Sequence, residues 1–510
     1  MKITFRNVHS IIRRNLNPIN FKFLYFCLKR NTIKKVQNKN IVLVEFNQFS
    51  GCLISYFYFM NIFYKNNKVN FYLLDINLKK KINDFFFYLF FYLIGVRKEL
   101  NFQKKKKQDH TKDFNELKNK YDIINYEKYE INIGKDIYEG YLRTFNKPTI
   151  DIQDSKFKSF FLEYLGYFED MYQYVEKNKS NLKALIIFQS LYKNNMLCKL
   201  AYKFKIPVYL PDLEKLHKNE KEFNEVEKFK FYKNESLKLQ DLNFKIKKIE
   251  KIYKDRSDGI QPDELSYSTA LLDETQKKYQ DVFDLSKETR ILICTHCFYD
   301  NPHPYEKSFF PDYYEWLKFL CELSKNTNYS WRIKVHNDCL PGTIETIQEI
   351  IKKSKSSVQL LPQDITHSEI IKSRVTHVLT CHGTVGFEYP YFNIPVINFN
   401  YNPRISFNFN FYSKNNIEKY KNILLNLKKE ENFKTDLEEI FTSYFMHYFH
   451  NVSELFVDDY YKILAKSTKD SKDYFFKEFL SQWNTDKEKN INQQIEKFIQ
   501  NKESYFCWKK

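Results

Sequence analysis

Short apolar runs alternate with helix-like stretches in the first half of the chain. Residues 41–46 and 69–74 are runs of the length and composition of buried strands, and an apolar helical stretch separates them. The same order returns in residues 184–211. This strand–helix–strand order predicts parallel strands that are covered by helices.

The alternation is clearest between residues 290 and 399. Five strand-like runs lie here, and the helical stretch after the first run places Trp316, Leu317 and Leu320 on one side. Nearly continuous apolar strands between helices are typical of a parallel sheet that is buried on both faces. The five runs are RILICTH, WRIKVH, SVQLLP, THVLTC and IPVINF.

These patterns predict an α/β chain with two Rossmann-like, doubly wound parallel-sheet domains and a helical C-terminal tail. At 510 residues the chain is too long for one hydrophobic core. The predicted segments are a basic N-terminal extension (1–40), an N-terminal Rossmann-like domain (41–212), a Lys/Glu-rich helical connection (213–284), a C-terminal Rossmann-like domain (285–415) and the helical tail (416–510).

The net charge of +19 favours anionic partners in a salt-dependent way. Residues 1–40 carry ten Lys/Arg and no acidic residue, with aromatic residues between them. Such a segment fits both a solvated basic tail and contact with an anionic membrane surface, and the sequence leaves both open. No nucleic-acid partner is expected, because the chain has neither a paired Cys/His finger nor an aromatic RNP-like strand.

No apolar run reaches the roughly 18–20 residues that span a bilayer. The longest run, residues 85–96, predicts a buried helix. The N-terminus lacks the order of a secretory signal, and nine irregularly spaced cysteines fit reduced thiols. We therefore expect a cytoplasmic protein; a peripheral position on the inner face of the cytoplasmic membrane is an alternative that depends on residues 1–40.

Histidines concentrate where a doubly wound sheet binds ligands, at the carboxyl ends of its strands. Six of the 11 lie in one 87-residue window, and four of these follow strand ends or occupy the loops there. Histidine in ligand-facing loops is more informative than histidine scattered through a core. The six are His296, His303, His336, His367, His377 and His382.

The turn HGTVG is unusual in a chain with only nine glycines. Glycine lets the backbone approach a phosphate, and the N–H groups at a helix start bind anions. Gly383 and the Thr384 hydroxyl therefore suit a phosphate, and Glu388, one turn further on, suits ribose hydroxyls. The alternative is a tight strand–helix turn with a solvated Glu388.

The segment HGTVGFEYPYFNIPV (382–396) resembles the donor-nucleotide segment of GT-B glycosyltransferases. It is most similar to bacterial capsule and surface-polysaccharide biosynthesis transferases, a group that includes Kdo transferases. IKVHND (333–338) resembles the K-x-H-P segment of that group. Residues 41–46, 136–154 and 296–317 also fit the resemblance.

This resemblance implies a GT-B-like fold with donor binding on the C-terminal domain and acceptor binding on the N-terminal domain. It implies donor-phosphate contacts from Lys334, His336 and Thr384 and from the backbone of Gly383, with His382 in the same turn. Independently, Lys and His at one strand end beside a glycine turn make an anion pocket. The alternative for Lys334 is a surface lysine on an alternating strand.

The chain departs from the family pattern at two positions. Asn337 stands where the family usually has Pro, and Asn393 where it usually has Gly. The first departure concerns the shape of the loop that carries His336, and the second concerns only a turn preference.

Three residues are candidates for the general base of such a transfer. Asp300 and His303 lie in a loop stiffened by two prolines, and Glu45 ends the first predicted strand. The alternatives are a turn-capping Asp300, a solvent-exposed His303 and a mere strand-end carboxylate, and the sequence does not choose among them. Arg404 suits either a donor or acceptor contact or a loop hydrogen-bonding network.

A zinc site is a weaker alternative. Cys294 and Cys297 form a C-x-x-C motif, but structural zinc sites usually show two tight ligand pairs, and Cys294 falls inside a predicted strand. We expect no metal and no other cofactor.

The leading hypothesis is a glycosyltransferase of capsule or surface-polysaccharide biosynthesis. Its donor would be a nucleotide-activated sugar, with CMP-linked sugars among the candidates, and its acceptor a glycan or glycolipid. Three alternatives stay open: a CDP-polyol phosphotransferase of the teichoic-acid type, a sugar-nucleotide epimerase, and a non-catalytic scaffold of a polysaccharide assembly.

Overall fold

A computed structural model describes most of the chain. The described residues are 17–74, 85–102, 110–213, 216–221, 225–239, 241–257, 279, 282–303, 308–336, 339–399, 406–412, 416–427, 434–450, 454–469, 474–502 and 505–507.

The strands of these residues, in chain order, are β1 (Ile41–Glu45), β2 (Asn70–Leu74), β3 (Lys98–Leu100), β4 (Glu127–Lys128), β5 (Ile131–Asn132), β6 (Leu182–Ile186), β7 (Val208–Pro211), β8 (Leu216–Asn219), β9 (Arg290–Cys294), β10 (Ser330–Lys334), β11 (Gln359–Leu360), β12 (His377–Thr380), β13 (Val396–Asn398), β14 (Phe411–Tyr412) and β15 (Tyr505–Cys507).

The α-helices, in the same order, are α1 (Pro18–Arg30), α2 (Ser50–Asn67), α3 (Phe85–Leu93), α4 (Thr111–Asn115), α5 (Lys120–Ile124), α6 (Gly134–Phe145), α7 (Ser155–Asn178), α8 (Tyr192–Lys203), α9 (Glu225–Ser236), α10 (Leu242–Ser257), α11 (Tyr313–Ser324), α12 (Thr343–Ser354), α13 (His367–Lys372), α14 (Val385–Tyr391), α15 (Ile417–Leu425), α16 (Leu437–Phe445), α17 (Tyr460–Lys469), α18 (Tyr474–Gln482) and α19 (Thr485–Gln500). A π-helical turn, Met446–His450, follows α16.

The chain divides into two compact units. The first unit comprises Met1–Phe114, Phe161–Glu222 and Asn451–Lys510. Its sheet has the strand order β15–β8–β7–β6–β1–β2–β3. The strands from β7 to β3 are parallel, and β8 and β15 extend one edge in antiparallel fashion. The two predicted βαβ units, which contribute β1 and β2 and β6 and β7, are therefore confirmed.

The helices of the first unit bury aromatic side chains against this sheet. Helix α2 is buried on all sides from Ser50 to Tyr64, as expected of a helix that is apolar all round. Helix α3 buries Phe86, Phe87 and Phe90 but leaves Phe85 and Tyr92 exposed, so the helix predicted from the apolar run is present and is buried on one side only.

Helices from both ends of the chain complete this core. On α1, Phe23 and Cys27 are fully buried, and the Phe23 ring stacks on Phe476 of α18 with 4.1 Å between ring centroids. Phe498 of α19 is also fully buried. These residues thus belong to the first unit, which differs from the predicted separate extension and separate helical tail. Local periodicity predicts a helix and its apolar face, but not the core against which that face packs.

The second unit comprises Asn115–Phe160 and Phe223–His450. Its six-stranded sheet has the order β11–β10–β9–β12–β13–β14 and is parallel throughout. In β9, Ile291 and Ile293 pack into one core, whereas Leu292 and Cys294 pack into the other. The sheet is buried on both faces, as predicted, and the fold class of an α/β chain with two Rossmann-like units is confirmed.

Two segments lie elsewhere than predicted. Residues 115–160 belong to the second unit rather than to the N-terminal domain. The Lys/Glu-rich helices α9 and α10 also belong there, and the ring of Tyr253 on α10 lies 5.0 Å from that of Tyr391 and 5.4 Å from that of Phe441. These helices are part of the packed unit and not only a connection.

Candidate functional site

The carboxyl ends of three neighbouring strands meet at one edge of the second sheet. Strand β9 pairs with β10 on one side and β12 on the other, so the loops after these strands are adjacent. They border an open pocket. The residues that line it are Cys294, Thr295, His296, Lys334, Val335, His336, His367, Thr380, His382, Gly383, Thr384 and Val385.

Five residues predicted to contact nucleotide lie in this pocket. The structure brings together Lys334, His336, His382, Gly383 and Thr384, which come from the ends of two different strands. A parallel sheet gathers them because it places all of its strand ends on one edge.

Lys334 is the last residue of β10 and is only 4% exposed. The alternative of a surface lysine is therefore excluded. Burial lowers its pKa below the ordinary lysine value, while nearby Asp364 and Glu369 counteract this shift. Burial alone disfavours the charged ammonium of Lys334. An anion that enters the pocket would pair with this ammonium and favour the charged form.

Imidazole rings form one wall of the pocket. The ring centroids of His296 and His382 lie 4.1 Å apart, and that of His336 lies 6.3 Å from His296. Burial, with a smaller effect of the His336 charge, lowers the pKa of His296 to about 4, and Asp300 counteracts this. His296 is therefore neutral near pH 7.

His296 belongs to the histidine cluster of the sequence but is not among the residues predicted to form the site. The available signal was its position directly after a predicted strand. Thr295 and Thr380 also line the pocket and carried no such signal, because threonine at a strand end is common.

Gly383 has a backbone φ of +122°, which side-chain-bearing residues rarely adopt. A Cβ added there would meet nothing within 4 Å. The glycine is therefore required by the conformation of the turn rather than by a lack of space. The next residue, Thr384, precedes α14, and its side chain makes no capping bond to the helix.

Glu388 lies on α14 and is 4% exposed, so it is not a solvated carboxylate. It does not line the pocket. Arg404 and Asn337 lie outside the described residues. Asn393 has a φ of +57°, a conformation that Asn tolerates better than most residues.

His303 lies away from the pocket lining. Its Nδ1 is 3.0 Å from Oε1 of Glu139 on α6, and its Nε2 is 2.8 Å from the carbonyl oxygen of Pro311. Its backbone N–H also donates to Glu139. With both ring nitrogens engaged and the side chain buried, the alternative of an exposed His303 is excluded.

The same helix makes a second polar contact with this loop region. The hydroxyl groups of Tyr138 and Thr149 each donate to Oδ2 of Asp312 at 2.5 Å. Asp312 in turn caps α11 by accepting from the Glu315 N–H, and burial raises its pKa. We call the contacts of Glu139 with His303 and of Tyr138 with Asp312 the α6 clamp. The clamp explains why residues 115–160 pack in the second unit.

The other two base candidates lie in different places. Asp300 is partly exposed and lies close enough to His296 to raise the pKa of that histidine. Glu45 ends β1 in the first unit, where Oε2 accepts from the Phe188 N–H at 2.6 Å and Oε1 accepts from the Asn194 amide at 2.7 Å. Glu45 thus anchors the loop after β6.

Within the described part of the chain, no group of three or more His, Cys, Asp or Glu side chains is arranged to hold a metal ion. Over the same residues, no helix is both long and apolar enough to cross a bilayer.

No protein-family model matches the chain, and no curated protein matches its sequence. Solved structures match it weakly. The β-Kdo 2,4-transferase KpsC from Thermosulfurimonas dismutans is 12% identical, with a TM-score of 0.28 over 52% of this chain and 80% of that protein's chain. A glycosyltransferase from Rickettsia africae is also 12% identical, with a TM-score of 0.24 over 87% of this chain and 97% of its own.

A UDP-GlcNAc 2-epimerase from Neisseria meningitidis, bound to UDP-GlcNAc, is likewise 12% identical. Its TM-score is 0.20 over 90% of this chain and all of its own. Because each of these TM-scores is below 0.5, the activity of this chain has to be argued from its own residues.

Proposed function

We propose that the chain is a glycosyltransferase of capsule or surface-polysaccharide biosynthesis that acts in the cytoplasm. It takes a nucleotide-activated sugar as donor, with CMP-linked sugars the first to test, and transfers the sugar to a glycan or glycolipid. The pocket at the ends of β9, β10 and β12 is the donor site.

The observation that carries this proposal is the combination of a buried cation with a glycine turn. Lys334 supplies a positive charge inside the pocket, and the positive-φ Gly383 lets the backbone of the same wall approach a ligand. His336 is exposed at this edge and adds a second donor. Such a set is suited to the phosphate that links a nucleotide to its sugar.

The transfer needs one bond to form and one to break. The oxygen of an acceptor hydroxyl attacks the anomeric carbon, and the bond from that carbon to the donor phosphate breaks. The nucleotide leaves with the electron pair, and a base accepts the hydroxyl proton. Lys334 and His336 would stabilise the negative charge that develops on the departing phosphate.

Asp300 is the base that its position favours. It is partly exposed and lies close to His296, which lines the pocket. His303 does not line the pocket, and Glu45 belongs to the first unit. Asp300→Asn should abolish transfer while leaving donor binding in place.

The donor site is tested by titrating CMP, CDP, UDP and GDP into the full chain by calorimetry. Lys334→Met and His336→Ala should each weaken the preferred nucleotide about tenfold to a hundredfold, the value of a hydrogen bond to a charged group. Lys352→Met, on the exposed side of α12, is the matched control and should change nothing. Unchanged affinity in both pocket variants would refute the donor site.

The reaction is tested separately with a panel of CMP-, CDP-, UDP- and GDP-linked donors and a glycan acceptor. Sugar transfer supports the proposal. Transfer of a phospho-polyol would identify a polyol phosphotransferase, interconversion of the sugar an epimerase, and binding without turnover a scaffold; each of these three results refutes it.

A further inference from the structure

Exposed aromatic residues concentrate on two helices of the first unit. Of the 13 large hydrophobic side chains that are exposed among the described residues, five lie on α1 and α3. Three of the five are more than half exposed: Phe85 at 52%, Tyr25 at 60% and Tyr92 at 63%. We call these five side chains the aromatic face: Phe21, Tyr25, Leu28, Phe85 and Tyr92.

The spacing of these residues places them on the outer sides of their helices. Positions 21, 25 and 28 recur at four and three residues, as do side chains on one side of a helix, and positions 85 and 92 are two turns apart. The opposite side of α1 is built into the core. The exposure of these residues is therefore not a sign that α1 is poorly packed.

The two helices are held side by side by their buried residues. The Phe23 ring of α1 stacks on Phe90 of α3 with 5.9 Å between centroids, and the Phe21 and Phe86 rings meet edge to face at 6.3 Å. The outer aromatic residues thus form one surface whose spacing is set by the core.

The charge on α1 and α3 is positive, and beside Tyr92 the side chains of Arg97, Lys98 and Glu99 line one pocket. Lys22 and Lys29 are exposed on α1, and the Lys29 ammonium lies 4.5 Å from the centroid of the Tyr25 ring. Neither helix contains an acidic residue. Arg30 does not add to this charge, because it pairs with Glu488 at 3.1 Å.

We propose that the aromatic face rests on the surface of an anionic phospholipid bilayer. Tyrosine and phenylalanine rings partition into the boundary between head groups and acyl chains, and lysines beside them contact anionic head groups. Both features occur together here on a surface that the chain itself leaves exposed. Contact with lipid does not require the donor site, so this proposal and the proposed transferase activity can fail separately.

Point substitutions test this proposal better than truncation does. Phe23 and Cys27 of α1 are fully buried, so removing residues 1–40 would open the core of the first unit. The exposed side chains can be changed without that damage, as circular dichroism and thermal unfolding would verify.

The experiment is cosedimentation of the full chain with vesicles of phosphatidylcholine alone or with added phosphatidylglycerol. We expect binding to the anionic vesicles that falls at least tenfold in the triple variant Phe21→Ser, Tyr25→Ser, Tyr92→Ser. Lys22→Gln and Lys29→Gln should each weaken it about fivefold, and added salt should weaken it further. Leu237→Ser, at an exposed leucine of the second unit, is the matched control and should bind as the unchanged chain does.

Three results would overturn the proposal. The first is no binding of the unchanged chain to anionic vesicles, and the second is equal binding by the triple variant. The third is a dimer, measured by light scattering without lipid, that the triple variant dissociates. That result would assign the face to a second copy of the chain instead.

Discussion

His303 and His336 of the second unit follow strands β9 and β10 in the sequence, yet one side chain is buried and the other is exposed. His336 is exposed at the pocket edge, next to the buried Lys334. His303 is buried in the α6 clamp, where Glu139 and the Pro311 carbonyl oxygen occupy both ring nitrogens. The sequence pattern predicts a functional role for both.

The difference teaches what a position after a strand does and does not indicate. It places a residue near the ligand-binding edge of a parallel sheet. Whether the side chain then faces a ligand depends on which other segment packs there, and a helix distant in sequence supplies the carboxylate of the clamp. The comparison is open to three tests.

The largest effect should come from breaking the clamp. His303→Ala would remove the imidazole that bridges Oε1 of Glu139 and the Pro311 carbonyl oxygen, and the two lost contacts together with the cavity should lower the free energy of unfolding by about 3–5 kcal/mol. Replacing His303 and Glu139 together with apolar residues should recover most of that loss. Urea unfolding measures both variants.

The matched variant is His336→Ala, which should change stability by no more than about 0.5 kcal/mol because the side chain is exposed. Equal losses of unfolding free energy in the two variants would contradict a stabilising role of the clamp.

The next effect concerns pH. Burial lowers the pKa of both His296 and His377 to about 4. Between pH 6.5 and 4 the unfolded chain therefore binds more protons at these residues than the folded chain does. The free energy of unfolding should have its full value above pH 6.5. It should fall as the pH drops toward 4, by up to about 3 kcal/mol for each residue.

Thermal unfolding across this pH range, in His296→Asn and His377→Asn, separates the two contributions. Each variant should flatten the profile. Only His296→Asn should also change nucleotide affinity, because His296 lines the pocket and His377 does not. An unaltered pH profile in both variants would contradict the assignment.

The smallest effect should come from the glycine turn. Gly383→Ala forces a residue with a Cβ to a φ of +122°, which should cost on the order of 1–2 kcal/mol in stability and reshape the pocket wall. Gly342, with a φ of +89°, lies outside the pocket lining and provides the control. Calorimetry should show weaker nucleotide binding for Gly383→Ala but not for Gly342→Ala. Equal nucleotide affinity in the two variants would show that the turn does not contribute to the donor site.

The sequence by itself determined most of the local structure. Alternating apolar runs and amphipathic stretches predicted β1, β2, β6 and β7 of the first sheet and β9 to β13 of the second, because burial on two faces requires nearly continuous apolar strands. They did not predict the short or edge strands β3, β8, β14 and β15. The position of the pocket was equally predictable. Lys334 and His336 lie at the end of one predicted strand, Gly383 follows another, and a parallel sheet brings its strand ends to one edge.

Only the tertiary structure decided how distant segments pair. Helix α1 and helices α18 and α19 join the first core, while residues 115–160 join the second unit, because side-chain contacts hundreds of positions apart select the partner of each apolar face. The burial of Lys334 and the engagement of His303 belong to the same category. A strand pattern gives the spacing of side chains, but burial and hydrogen-bond partners come from whatever packs against them.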